Sequence, residues 1–187
     1  MEKQELIIIE GPQGVGKTGL ANYLREQIKS SNLYRLSGIP DKSITGLSKN
    51  ESMYNGSIDY LKTLEGTGMN LIFDRLFFSE YVYSKLGYKE YDFTEVYNKL
   101  VERFLELKFD KIFIALYLEN PELFIERLKR DKAEYVKFNL ENSVNQQNEY
   151  LKVADELEKT EKVKVLKIAM DDFDKGYEII NKELGIK

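Results

Sequence analysis

Short apolar runs alternate along the chain with segments whose apolar residues recur every three or four positions. The apolar runs predict five strands, at residues 5–10, 33–36, 70–74, 112–118 and 163–168. The periodic segments predict seven helices, at residues 20–28, 52–64, 77–86, 93–105, 121–128, 140–159 and 173–184. Residues 37–50 are polar and contain several turn formers, so we expect a loop there.

This alternation determines the expected fold class. Parallel strands must be joined by long crossovers, usually helices, so the order predicts a parallel sheet with helices on both faces. We therefore expect a three-layer α/β fold with a five-stranded parallel sheet. Its length suits a single domain over residues 1–187, because no repeat, linker or low-complexity segment divides the chain.

The composition narrows the chemistry of this domain. The chain has no cysteine and no histidine, which excludes disulfides, thiolate or imidazole metal ligands and the serine–histidine triad. Its 28 Lys and Arg against 32 Asp and Glu give a net charge of −4, which argues weakly against wrapping a long nucleic acid. No apolar run approaches the roughly 20 residues of a membrane span, and we see no signal-peptide pattern, so we expect a cytoplasmic protein without a membrane partner.

Residues 11–18 match the nucleotide-binding pattern GxxxxGK[ST] at every fixed position, between a predicted buried strand and a predicted helix. Glycines let backbone amides surround phosphate oxygens, and the following helix directs its positive end at the anion. Lys17 adds a cation for the β- and γ-phosphates, and Thr18 adds a hydroxyl ligand for Mg²⁺. The predicted ATP phosphate-binding residues are Gly11, Gln13, Gly14, Val15, Gly16, Lys17 and Thr18.

Asp74 and Arg75 stand at the end of the third predicted strand. Because ligands bind at the carboxyl ends of strands in open α/β sheets, we expect both residues to face the crevice of the glycine loop. Asp74 is suited to activating an acceptor hydroxyl or to holding Mg²⁺, and Arg75 to binding an anionic group of the substrate. An ion pair between them is the purely structural alternative.

A charged segment follows the fourth predicted strand. Arg127 and Arg130 lie three residues apart and so share a helical face. Arginines on a mobile lid neutralise the charge that develops in phosphoryl transfer and exclude water. We therefore predict a small lid over about residues 126–139 with Arg127 and Arg130 as catalytic residues. The alternative is a solvated helix face in which Glu126 and Asp131 neutralise the arginines.

Residues 74–83 have the sequence DRLFFSEYVY, which resembles an element of the thymidylate kinase and deoxynucleoside kinase superfamily. In that element Asp-Arg-Tyr or Glu-Arg-Ser is followed by a serine and an aromatic residue. The resemblance implies a P-loop nucleotide kinase fold, ATP and Mg²⁺ as cofactors, and a homodimer. It also implies that Arg75 contacts the acceptor phosphate or the transferring phosphoryl group, and that Asp74 lies beside the acceptor oxygen and the metal.

The same element is rich in aromatic residues, which either stack on a base or pack in the core. They are Phe77, Phe78, Tyr81 and Tyr83. We expect the acceptor to be contacted by Gln13, Arg75 and Phe78.

Three features depart from the resemblance. Gln13 stands where thymidylate kinases usually have an aspartate that meets the sugar hydroxyl. The Glu-Pro-Gly element expected after the second strand is missing, since residues 35–40 contain no carboxylate. The adenine contacts are not identifiable, and Arg35 and Lys42 face either an acceptor phosphate or water.

We expect an ATP-dependent phosphotransferase of the thymidylate kinase-like type, which passes the γ-phosphate to a deoxynucleoside monophosphate, dTMP or a related nucleotide. The alternative is a kinase of a hydroxyl acceptor: a deoxynucleoside, a polynucleotide end or a hydroxymethylated base in DNA. A P-loop NTPase that serves as a switch or binding module is the third possibility. A phosphate acceptor needs positioning and charge neutralisation rather than a strong base, so the lack of histidine is no handicap.

Overall fold

The computed structural model describes residues 4–129 and 140–186, and the elements below are those of this part of the chain. The strands are β1 (Glu5–Glu10), β2 (Ser31–Arg35), β3 (Asn70–Asp74), β4 (Asp110–Tyr117) and β5 (Lys164–Ala169). The helices are α1 (Lys17–Gln27), α2 (Ile44–Thr63), α3 (Phe77–Lys85), α4 (Thr94–Leu105), α5 (Leu123–Leu128), α6 (Leu140–Glu158) and α7 (Phe173–Leu184).

The strands form one parallel sheet in the order β2-β3-β1-β4-β5. The central strand, β1, is buried on both faces: Leu6 and Ile8 belong to a core shared with α2, α3, α4 and α6, and Ile7 and Ile9 to a core shared with α1, α5 and α7. This arrangement confirms the predicted three-layer α/β fold with five parallel strands. None of the helices in the described ranges is long and apolar enough to cross a membrane.

The expected loop over residues 37–50 is wrong in its second half, because α2 already begins at Ile44. In its first two turns α2 buries Gly46 and Asn50 instead of large apolar residues. Asn50 is fully buried and satisfied by hydrogen bonds, for example from the backbone N–H of Ile39 at 2.7 Å. A helix face of small and polar residues has no hydrophobic period, and the sequence pattern therefore missed it.

The register of the sheet brings three chain segments to one edge. Ile9, just before the glycine loop, pairs with Asp74, and Asp74 pairs with Arg35 at the end of β2. Because parallel strands all end at the same edge, the glycine loop, Asp74 and Arg35 meet there.

Candidate functional site

The glycine loop connects β1 to α1 and has the backbone geometry of an anion cradle. Gly14 has φ 80° and Gly16 has φ 107°, a left-handed backbone conformation that residues with a side chain rarely adopt. Lys17 begins α1, so the positive end of this helix lies at the loop. The buried Lys17 Nζ donates to the carbonyl of Pro12 at 2.6 Å, which holds the ammonium group against the loop.

Asp74 lies beside the loop, as expected. Its Oδ2 accepts a hydrogen bond from Thr18 Oγ1 at 2.7 Å and lies 3.7 Å from Arg35 Nε. The described residues contain no cluster of three carboxylates that would enclose a metal ion. A hydroxyl and one carboxylate, however, fit Mg²⁺, which usually takes its remaining ligands from phosphate and water.

Arg75 has φ 76°, which is unusual for a residue with a side chain and costs about 1–3 kcal/mol. Its Nη1 donates to three hydroxyl groups: Ser79 Oγ at 3.2 Å, Tyr83 OH at 3.0 Å and Tyr150 OH at 3.5 Å. No carboxylate of the described residues forms an ion pair with Arg75 or lies within hydrogen-bond distance of it. The guanidinium is therefore oriented by hydroxyl groups, and no carboxylate of the described residues occupies its N–H donors.

Glu10 is a site residue that the sequence analysis missed. It ends β1 and is fully buried, with Oε1 accepting from the backbone N–H of Leu76 at 2.8 Å and Oε2 from Ser79 Oγ at 2.6 Å. Burial raises the pKa of the Glu10 carboxyl to about 7, and the charge of Arg75 opposes that rise. The available signal was a charged residue at the end of a strand that is otherwise apolar and buried.

Two cavities meet at this edge of the sheet. The P-loop cavity measures about 520 Å³ and is lined by the glycine loop, Arg35, Asp74 and Arg127. The α3 cavity measures about 950 Å³ and is lined by residues 37–42, by α3, by the connection from α3 to α4 and by Asn142 of α6. Both cavities are lined by Gln13, Ser37 and Arg75. These three residues therefore mark the junction of the two cavities.

The wall of the α3 cavity contains a buried ion pair that sequence reasoning did not find. Lys89 Nζ lies 2.6 Å from Glu80 Oε1, with the two side chains only 8% and 3% exposed. Tyr91 OH and Asn50 Nδ2 also donate to Glu80 Oε1. Gly38 packs so closely on Glu80 that an added Cβ would lie 2.0 Å from Oε2. No local sequence signal joins these residues, because they come from separate segments.

The aromatic residues of α3 divide between core and cavity. Phe77 and Phe78 are fully buried in the core and do not line the α3 cavity. The expectation that Phe78 contacts the acceptor is therefore corrected: its ring packs on Phe104 and Phe113 instead. Tyr81 stacks on Tyr97 at 3.8 Å between ring centroids, whereas Tyr83 lines the cavity. Lys42 lines it as well.

Arg127 lies at the P-loop cavity, in the described part of the predicted lid. Its Nη2 donates to the carbonyls of Met170 and Asp171 at 2.7 and 3.3 Å. Its guanidinium carbon lies 4.4 Å from the ring centroid of Phe173, which is 41% exposed at the same cavity. Arg130 and residues 131–139 of the predicted lid lie outside the described residues.

Known structures with this fold include nucleoside and nucleotide kinases. A deoxyadenosine kinase from M. mycoides with bound dCMP and dCDP is 16% identical, with a TM-score of 0.66, over 96% of this chain and 98% of that one. The same enzyme with bound dATP is 18% identical, with a TM-score of 0.64, over 96% and 98%. Thymidylate kinase from Candida albicans is also 18% identical, with a TM-score of 0.64, over 97% of this chain and 93% of that one.

These likenesses confirm the resemblance to P-loop nucleotide kinases at the level of the fold. They extend over nearly the whole chain of every structure compared. No protein-family model matches the chain, and no curated protein matches it in sequence. The choice of substrate must therefore be argued from the site itself.

Proposed function

We propose that this protein is an ATP-dependent kinase that transfers the γ-phosphate to a deoxynucleoside monophosphate, dTMP or a related nucleotide. The observation that carries the proposal is the composition of the P-loop cavity. It is lined by four cations, and by one carboxylate among the described residues. These charged residues are Lys17, Arg35, Arg75, Arg127 and Asp74. Such a charge balance suits two phosphate groups brought together and does not suit a reaction that needs a free base.

Each residue then has a defined task. The backbone of the glycine loop and Lys17 bind the triphosphate, while Thr18 and Asp74 hold Mg²⁺. When bound, Mg²⁺ neutralises charge on the phosphates. Arg75, at the junction of the cavities, binds the acceptor phosphate and orients it towards the γ-phosphate. Gln13 supplies an amide at the same junction, and Arg130 of the predicted lid supplies a further catalytic cation.

The adenine of ATP is proposed to stack at the mouth of the P-loop cavity. Phe173 presents a half-exposed ring there, and the guanidinium of Arg127 lies over that ring. Flat aromatic and guanidinium groups both bind nucleobases by stacking. The hydrogen bond from Arg127 to a backbone carbonyl fixes its guanidinium over the Phe173 ring. The proposed role of Arg127 is therefore to hold the base as well as to balance charge.

Phosphorylation of a hydroxyl is the second candidate function. The likeness to a deoxyadenosine kinase favours it, as does the amide of Gln13 where thymidylate kinases usually have a carboxylate. In this case Asp74 is the only carboxylate at the P-loop cavity, within the described residues, that can accept the hydroxyl proton. The acceptor is then a deoxynucleoside, a polynucleotide end or a hydroxymethylated base in DNA.

An acceptor panel separates these candidates. ADP release is measured with ATP and each of the four deoxynucleoside monophosphates, and we expect turnover with at least one. Lack of turnover with all four would contradict the first proposal. Transfer of labelled phosphate from ATP to deoxynucleosides or DNA supports the second, unless Asp74→Asn leaves that transfer intact. Slow hydrolysis without any acceptor would instead indicate an NTPase switch.

The triphosphate site is tested separately by Lys17→Ala. Loss of the ammonium removes a charge-assisted contact worth about 2–3 kcal/mol, so ATP affinity falls about 30- to 150-fold. Equilibrium binding of a fluorescent ATP analogue measures the change. Lys29→Ala removes an exposed lysine beyond the end of α1 and serves as the matched control. Equal affinity in the two variants would contradict the phosphate-binding role of the loop.

We also propose a homodimer, as the resemblance implies. Large apolar side chains that are exposed in one chain, such as Ile44 at 66% and Tyr60 at 47%, become covered if they lie at a contact between two copies. Light scattering coupled to gel filtration measures the molar mass, and a monomer at micromolar concentration would contradict the proposal.

A further inference from the structure

The hydroxyl of Ser79 is the centre of a buried network behind Arg75. Ser79 Oγ donates to Glu10 Oε2 at 2.6 Å, accepts from Arg75 Nη1 at 3.2 Å and lies 2.9 Å from Tyr150 OH. A hydroxyl has one hydrogen and two lone pairs. While Glu10 is ionised, the Ser79 hydrogen goes to Glu10, so the Tyr150 hydroxyl donates to Ser79. The bonding capacity of Ser79 is therefore complete.

Glu10 and its neighbour Ile9 fix the backbone on both sides of Arg75. Its Oε1 accepts from the backbone N–H of Leu76, which precedes α3, while the N–H of Arg75 donates to the carbonyl of Ile9 at 3.2 Å. The end of β1 thus holds the Arg75 turn, whose φ of 76° needs external support. The next residue after Glu10 is Gly11, so the same strand end also leads into the glycine loop.

We propose that Glu10 is a positioning residue: its ionised carboxylate holds Ser79 and the Arg75 turn so that the Arg75 guanidinium faces the junction of the two cavities. The inference rests on the proposed function, in which Arg75 binds the acceptor phosphate. A cap for α3 alone would need only one hydrogen-bond acceptor, which a nearby serine or aspartate supplies in most helices. Here the carboxylate comes from another strand and uses both of its oxygens.

The network is strongest while Glu10 is ionised. Its two oxygens then accept charge-assisted hydrogen bonds from Ser79 and from the N–H of Leu76, and such bonds are roughly twice as strong as neutral ones. A proton on Oε2 would reverse the direction of the hydrogen bond between Ser79 and Tyr150, and a proton on Oε1 would oppose the N–H of Leu76. Protonation therefore weakens the hold on Ser79 and the Arg75 turn, and the raised pKa of about 7 brings that event into the range of an enzyme assay.

The charged and titratable groups that face Glu10 leave it as the group that titrates near pH 7. They come from the Arg75 turn, the glycine loop, α2, α4 and α6, and they are Arg75, Lys17, Tyr54, Tyr97 and Tyr150. The two cations stabilise the ionised carboxylate. Burial raises the pKa of each of the three tyrosines, so they stay neutral throughout this range.

Glu10→Gln tests the proposal, because the amide keeps the shape of the side chain but must direct its NH₂ group at Ser79 or Leu76. We expect kcat to fall at least tenfold while the KM for ATP stays within twofold. The wild-type kcat shows a rise through pH 7 that comes from Glu10, and the variant lacks this additional rise. The titration of the acceptor phosphate occurs in both proteins and cancels in the comparison. Equal kcat and equal pH profiles would overturn the proposal.

Two further variants make the test specific. Ser79→Ala removes the central hydroxyl and is expected to lower kcat without changing the KM for ATP. Tyr54→Phe removes a buried hydroxyl that faces Glu10 but has no hydrogen-bond partner among the described residues, so its kinetics should match the wild type. A loss of activity in Tyr54→Phe as large as in Glu10→Gln would indicate general core damage and overturn the proposal.

A measurement without turnover separates this inference from the proposed function. The ¹H–¹⁵N resonances of the Arg75 guanidinium, assigned by their loss in Arg75→Lys, should shift with a midpoint near pH 7. Glu10→Gln should abolish that shift. If the wild-type protein shows the shift but phosphorylates no acceptor, the positioning role of Glu10 is supported and the proposed function is contradicted. An active enzyme in which the resonances do not move with pH contradicts the positioning role.

Discussion

The two cavities that meet at Arg75 differ in the balance of charge on their walls. The P-loop cavity is lined by cations in excess, and its loop residues come from one short segment, residues 13–19. The α3 cavity is built from distant segments, and its wall neutralises its own charge through the ion pair of Glu80 and Lys89. The first cavity is therefore ready for a multiply charged anion, whereas the second offers shape and hydrogen bonds. The difference suggests that the first binds phosphate and the second the remainder of the acceptor.

The largest effect is expected from Lys89→Met, which removes the cation from the wall of the α3 cavity. Glu80 would remain as a buried, unpaired carboxylate, and such losses cost about 3–5 kcal/mol of the free energy of unfolding. Urea denaturation measures the change. Lys99→Met is the matched control, because Lys99 pairs with Glu95 on the exposed surface of α4, where solvent screens an ion pair and it contributes little to stability.

The double variant Lys89→Met with Glu80→Gln sharpens this test. It removes both charges, so much of the lost stability should return. If Lys89→Met costs no more than Lys99→Met, the α3 cavity does not depend on internal charge neutralisation and the contrast with the P-loop cavity fails.

A somewhat smaller effect is expected at the junction of the cavities, where Glu10 titrates. Its folded pKa of about 7 lies above its ordinary value of 4.5, so between these pH values the folded chain binds more protons than the unfolded chain. The contribution of Glu10 to stability therefore falls as pH rises through this range and is constant above it. A shift of this size corresponds to about 3 kcal/mol.

Urea denaturation at pH 5, 6, 7 and 8 measures this contribution. We expect Glu10→Gln to gain stability relative to the wild type as pH rises, since the amide does not ionise. Glu95→Gln replaces an exposed carboxylate whose pKa is lowered by Lys99 and serves as the control. A constant difference between wild type and Glu10→Gln across this range would mean that Glu10 does not titrate there.

The P-loop cavity was predictable because its signals are local. Glycines before Lys17 and an apolar strand before the loop are adjacent in the sequence, and the carboxyl-end rule then places Asp74 and Arg75 at the same edge. The position of Arg35 beside Asp74 follows from the strand order, which the sequence alone did not determine.

The α3 cavity was not predictable, because its residues meet only in the folded chain. Glu80 and Lys89 are joined across a helix end and a loop, and Asn50 joins them from a helix whose start had no hydrophobic period. Phe78 was placed in the acceptor site because aromatic residues suit both stacking and packing. The direction in which α3 faces the core decides between the two, and that direction is a property of tertiary packing.

The smallest effect is expected at the mouth of the P-loop cavity, from Phe173→Ala. Loss of a stacking ring costs about 0.5–1.5 kcal/mol, so ATP affinity should fall about two- to tenfold. Inorganic tripolyphosphate, which has no base, should bind both proteins equally. Ile179→Ala, at an exposed apolar residue of α7, is the matched control.

An equal loss for ATP and tripolyphosphate would contradict base stacking and point to the glycine loop. The Phe173 ring packs directly on Gly16, where an added Cβ would lie 2.6 Å from Cε1, so the ring also bounds the loop. The two ligands therefore distinguish a ring that binds the base from one that supports the phosphate cradle. A loss of affinity for ATP alone would show that the mouth of the cavity, like the α3 cavity, recognises its ligand by shape. The glycine loop beneath it would then recognise the charge of the phosphates.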